Sequence, residues 1–248
     1  MRPSVRPALV LTAAVALTVP LAIAGPAQAG AYRPVSERTL ENSSMGAADV
    51  PRWMWHGGRP EVERFFSKGR DAGGPELCPS ETDPINGKQA RELMYSRATL
   101  WEVPPSRLGQ LGSYIYQYRS RGDAQRAWAD LTAKASTCPS FVQEESSDSG
   151  RARLEVDTRV TTLPNLFGTA GLEIWTDVRT SFNSDDPAQD MTSTGNTYAH
   201  FYLAGTSIVK VQHLTFNGDA RTVGRVTRGF VQSMAIVVAQ RVEQRSSR

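Results

Sequence analysis

A chain of 248 residues that is 40% hydrophobic and 21% charged has the material for a folded core, which excludes a disordered polyelectrolyte. Lys and Arg outnumber Asp and Glu by only 28 to 25, with the two signs interleaved, so nothing marks a nucleic-acid binder built on a basic run. With 2 Cys, 3 His and no CxxC or Cys/His cluster, no metal or other cofactor is expected.

The N-terminus reads as an export signal. Arg2 and Arg6 form a positive start, residues 8–24 are apolar and uncharged, and Ala27-Gln28-Ala29 supplies a small-x-small cleavage site. Pro20, Gly25 and Pro26 interrupt a run already short for a membrane span. No Cys at the cleavage point offers an acylation site. The expectation is Sec-type cleavage near Ala29, release to the outside and no transmembrane anchor. Removing Arg2 and Arg6 lowers the formal charge from +3 to +1. Residues 30–50 are polar and mixed and read as a flexible segment, with a short helix near Ser36. A single domain is expected over 51–243.

Trp53, Trp55 and His56 cluster before Gly57-Gly58 and read as an aromatic clamp. Pro60 at a first-turn position predicts a short helix over 61–68. Strands are predicted over 93–103 and 113–119, the second placing Tyr114, Tyr116 and Tyr118 on one face. Ser120 and Asp123 match a capping box opening a helix to about residue 135, with Ala124, Ala127, Trp128, Leu131 and Ala135 as its apolar stripe. A short strand at 141–143 and alternating strands at 151–161 and 171–180 follow. Residues 181–195 read as a polar connection. A hairpin turns at Gly205-Thr206 between 197–204 and 207–216, and a closing helix presents Val223, Val226, Phe230, Met234 and Val237. The class is α+β: an antiparallel sheet of about five to six strands with two main helices on one face. In an oxidising compartment Cys78 and Cys138 favour one disulfide. Free or metal-bound thiols are the alternative.

The stretch Tyr116-Gln-Tyr118-Arg-Ser120-Arg-Gly-Asp-Ala124, followed by Trp128 and Cys138, resembles the extracellular sensor domains of PknH-type actinobacterial kinases and their stand-alone exported relatives. The Ala48–Pro51 segment and the closing strand-strand-helix unit extend the resemblance over roughly residues 48–241. It implies an antiparallel sheet packed with helices and a cleft for an unidentified ligand. The chain departs from the family in having no kinase domain or anchor, and two cysteines where four are expected.

Searching for chemistry yields little. GxSxG, HExxH, Walker A and GxGxxG are absent. His200 and His213 share a sheet face if the hairpin turn has two or four residues and lie on opposite faces if it has three, and they lack an obvious third ligand. Glu173 and Asp177 are too far apart along one strand for paired carboxylate chemistry, although Asp157 or Glu155 could supply a cross-strand partner. Asn183, Asp185, Asp186 and Asp190 have the composition of a calcium loop without its spacing. The most suggestive set is aromatic: Tyr114, Tyr116, Tyr118, Trp175, Tyr198, His200 and Tyr202. On one side of the sheet they would form a polar-aromatic platform for a sugar, peptide or lipid headgroup. Otherwise they flank the core. The expected function is a secreted, non-enzymatic, sensor-like ligand-binding domain at or outside the cell envelope. Its partner would be a small molecule, glycan or lipid of the envelope, or a protein. The alternatives are a protein-protein interaction module and a hydrolase with an unrecognised site. The hydrolase requires His200 or His213 beside a buried carboxylate and a Ser.

Overall fold

A computed structural model describes residues 32–52, 60–78, 85–102, 107–147, 150–184, 190–216 and 224–247. The expected leader at 1–29, the Trp53, Trp55 and His56 cluster, Asp185 and Asp186, and Val223 lie outside the described residues. In chain order the elements are helix α1 (Glu37–Ser43), strand β1 (Val62–Lys68), a 3₁₀ turn (Gly69–Ala72), β2 (Glu76–Cys78), β3 (Ile85–Asn86), β4 (Glu92–Glu102), β5 (Arg107–Gln117), α2 (Arg121–Ala135), β6 (Phe141–Ser147), β7 (Gly150–Leu166), β8 (Thr169–Ser184), β9 (Met191–Ala204), β10 (Ser207–Phe216) and α3 (Gly224–Ser246).

Eight strands form one sheet in the order β1-β4-β5-β10-β9-β8-β7-β6, while β2 and β3 pair separately. Every pair is antiparallel. The α+β class holds, but the sheet is wider than the five to six strands expected. One reason is β1: residues 62–68 form an edge strand, not a helix, because their backbone pairs with β4 from Val62↔Ala98 to Lys68↔Glu92. No local signal specifies those bonds. Likewise β8 and β9 run into the polar connection at 181–195, since Ser181↔Thr192 and Phe182↔Met191 keep the ladder paired.

The helices do not share one face. Strands β9 and β10 are buried on both sides, with Phe201, Leu203 and Ile208 facing one way and Tyr202, Ala204, Val209 and Val211 the other. Strands apolar on both faces need cover on both. α2 packs its Ala124, Ala127, Trp128 and Leu131 stripe on the first face, and α3 covers the second. The face of α3 also differs from the expected one: Met234 is buried, but Val237 is 38% exposed, and Val231, Ala235, Val238, Ala239 and Val242 complete the contact. Apolar residues lie all round this helix, so periodicity alone does not choose its inner side.

The segment expected as flexible is docked against α3. Ser36 Oγ caps α1, and Leu40, Met45 and Val50 enter the core. Arg241 makes a two-armed ion pair with Asp49 at 2.7 and 2.9 Å, and Arg245 donates to Ser43 Oγ at 2.7 Å. Burial pushes the Asp49 carboxyl up, but the Arg241 bonds and the Gly46 N–H outweigh it and hold its pKa below the ordinary value. The folded unit therefore begins before residue 51.

The β9–β10 turn is the expected pair, Gly205-Thr206, with Ala204 opposite Ser207. Gly205 has φ 56°, and an added Cβ would lie 1.9 Å from Ser246 Oγ, so both backbone angle and space require glycine there. Its N–H donates to Glu243, tying the turn to the end of α3.

Candidate functional site

The strand register divides the seven predicted site residues between the two faces. Tyr114 and Tyr116 lie opposite Lys210 and Ile208, and Lys210 lies opposite Phe201. These point to the α2 side, where Tyr118 is also buried. Tyr198 lies opposite His213 and Trp175, and His200 lies opposite Val211 and Glu173. These point to the α3 side, with Tyr202. Tyr116 and Tyr198 face opposite ways because their β10 partners, Ile208 and His213, are an odd number of residues apart. The single platform does not form. Tyr116, Tyr118, Tyr198, His200 and Tyr202 are buried, and Tyr114 and Trp175 are half-buried.

On the α2 side the aromatics make a ladder across strands. Phe65 stacks on Tyr95 at 5.7 Å, and Tyr95 on Tyr114 at 4.3 Å between ring centres. Beside it lies Lys210, only 5% exposed. Its ammonium donates to the Glu76 carbonyl at 3.0 Å and lies 5.2 and 5.5 Å from the Tyr114 and Phe201 ring centres. Burial pulls its pKa down to about 8, against a smaller opposing effect of Glu76. Gln212 Nε2 donates to Tyr114 Oη at 2.8 Å. Sequence reasoning passed over Lys210. Its signal was a cation on the inward parity of Ile208, Lys210, Gln212 and Leu214.

Lys210 lines a cavity of about 240 Å³ with Leu77, Cys78, Ile174, Thr176 and Val178. Cys78 is bonded to Cys138, with S–S 2.08 Å and Cα atoms 5.8 Å apart. The bridge fixes β2 to the segment following α2, and β2 forms one wall of the cavity. At Val178 this cavity meets a second cleft of about 820 Å³, which follows the ladder row Phe141, Val156, Val178, Gly195. From Phe201, opposite Lys210, to Gly195 is six residues of β9, roughly 20 Å. Sharing Val178, the two spaces lie end to end as a trough with a cation at one end and valines along it, bordered by Glu155, Asp157, Asp177 and Arg179.

The α3 side holds a polar cluster. Glu173, 3% exposed, accepts two bonds from Arg228, one at 2.7 Å, and its other close neighbour is His200 Nε2 at 3.3 Å. Burial pulls the His200 pKa down to about 4; Glu173 raises it and Arg228 lowers it. His213 shares this face, as the two-residue turn requires. Among the described residues no group of three His, Cys, Asp or Glu could hold a metal ion. Asp157 lies opposite Asp177, but Arg159 lies 2.7 and 3.4 Å from the two carboxylates. The arrangement is an ion-pair cluster, and Arg159 holds the Asp157 pKa below its ordinary value. Of the calcium-loop set, the described Asp190 accepts the Ser184 N–H at 2.8 Å.

No protein-family model matches the chain, and none of the curated proteins matches it. Among solved structures it is similar to the extracellular domain of PknH from Mycobacterium tuberculosis. That likeness has 10% identity and a TM-score of 0.46, and covers 86% of this chain and 99% of that one. It is a distant resemblance of fold.

Proposed function

We propose that this protein is an exported, non-catalytic binding domain whose ligand lies in the trough on the α2 side. The observation that carries the reading is the pairing of a buried ammonium, Lys210, with an adjoining valine-lined cleft. A buried cation is costly unless partnered, and Lys210 has one carbonyl and two ring faces. An amphiphile with an anionic end would complete that partnership while covering Val156 and Val178. The disulfide and the N-terminal leader support action outside the cell, and no helix among the described residues is long and apolar enough to cross a membrane. The non-catalytic reading rests on the α3-side cluster. His200 is fully buried, and its carboxylate neighbour is already held by Arg228. Among the described residues neither His200 ring nitrogen completes an aligned hydrogen bond, with a Ser or any other group.

The test uses 1-anilinonaphthalene-8-sulfonate, an apolar ring system with one anionic group. Its fluorescence should rise on binding to the exported protein. Lys210→Met should weaken binding about tenfold, and Val178→Trp should abolish it by filling the trough. Equal binding by all three proteins would remove the trough as the site. Native mass spectrometry of protein from its own culture medium should show a co-purified small molecule, lost in Val178→Trp.

A further inference from the structure

A third cleft, of about 640 Å³, lies among the 3₁₀ turn, the start of β4 and the first turn of α2. Lys68, Arg70, Lys88, Arg91, Arg119 and Arg126 line it, against only Glu92 and Asp123. The carboxylates are already engaged. Glu92 lies 3.5 Å from Arg91 and accepts from Gln117 at 2.6 Å, and Asp123 is held by Arg126 and Ser120. Lys68 lies 3.7 Å from Glu37 outside the cleft. Among the described residues no carboxylate lies within ion-pair distance of Arg70, Lys88 or Arg119.

The three cations come from three separate segments, and the backbone fixes those segments to one another. Gly69 N–H donates to Arg91 O at 2.9 Å, Ala90 N–H to Gly73 O at 2.7 Å, and Arg91 N–H to Gln117 O at 2.8 Å. Gln89 Nε2 donates to Gly69 O, and Tyr118 Oη to Lys88 O at 2.9 Å. The frame sets these exposed like charges around one cleft, where a bound anion would complement them. Arginines from two directions offer paired donors to tetrahedral oxyanions, and Lys88 adds a compact charge.

From this geometry we infer that the cleft is a binding site for a phosphate or pyrophosphate group, separate from the trough. A soluble phosphorylated molecule and a phospholipid headgroup present the same chemistry, and the cleft is of small-molecule size.

The test titrates the exported chain with sodium pyrophosphate at low salt, and separately sediments it with vesicles of phosphatidylglycerol in phosphatidylcholine. Binding should weaken steeply with added salt. The combined variant Arg70→Gln, Lys88→Gln, Arg119→Gln should lose affinity about tenfold or more, because charge-assisted bonds are removed. Arg151→Gln, on β7 near the opposite sheet edge, should bind as the parent does. Binding of pyrophosphate assigns the site to a soluble ligand, and binding of vesicles alone assigns it to a headgroup. Binding of neither overturns the inference, as does unchanged affinity in the triple variant. If that variant misfolds, amide shifts of the parent chain decide: pyrophosphate should move Gly69, Gln89 and Arg119 and leave Gly195 in place. The reverse pattern would overturn the site.

Discussion

The two faces of the central strands are finished in different ways. On one, α3 spans 23 residues, about 34 Å, and the docked 37–50 segment extends its cover. Carboxylates there are matched in place, the buried Glu173 by Arg228 and the half-buried Asp49 by Arg241. On the other, α2 has 15 residues, about 22 Å, and the short β2, held by a disulfide, stands in for more helix. That cover leaves the trough open and Lys210 without a carboxylate within ion-pair distance among the described residues. His200 on the α3 side also lacks an aligned hydrogen bond among the described residues, but it is sealed under the helix, whereas on the α2 side the buried cation adjoins an open trough.

Removing the bridge should separate the faces most strongly. Cys78→Ala with Cys138→Ala frees a loop of 60 residues and should cost about 4 kcal/mol by the chain-entropy account, read by thermal unfolding. Sulfonate-dye binding should fall with it, while hydrogen exchange in α3 near Val238 stays slow. Equal loss of protection on both faces would show that they do not behave as separate layers.

Acid should strike the α3 face first. His200 is held neutral in the fold, with its pKa near 4 against an ordinary 6.5, so the unfolded chain takes up the proton first. Its stabilisation is complete above pH 6.5 and is lost as pH falls toward 4, by about 3 kcal/mol. Urea unfolding of His200→Gln should lack that portion of the acid sensitivity. An identical pH profile would remove His200 from the account.

Base should act on the α2 face with the opposite consequence. Lys210 has its pKa near 8 against an ordinary 10.5, so its contribution grows as pH rises from 8 towards 10. Lys210→Met should flatten that rise and at pH 7 raise stability by about 2 kcal/mol. A destabilised Lys210→Met protein would show that the carbonyl and ring contacts outweigh the burial cost. The smallest effect belongs to the cap. Ser120→Ala removes the acceptor for the Asp123 N–H and should cost about 1 kcal/mol, with dye binding retained.

Several elements were legible because their causes are local. The Ser120 and Asp123 cap, the α2 stripe, the Gly205-Thr206 turn and the cysteine pair each rest on a short motif or a count. β1 was not, since Val62–Lys68 is mixed in pattern and becomes a strand only against β4. The candidate sites were less legible still. Tyr114 and Tyr198 look alike within their own strands, and the register sends them to opposite sides.

The sequence by itself determined an antiparallel α+β class and a disulfide partner choice, because alternation, capping and pairing of two cysteines need no knowledge of distant neighbours. Tertiary structure decided which face each strand presents, that both faces carry helices, and that Lys210 is enclosed. It also gathered Arg70, Lys88 and Arg119 into one cleft, although the chain carries no basic run. The physical reason is that register parity and charge convergence depend on segments far apart in the chain, where local periodicity carries no information.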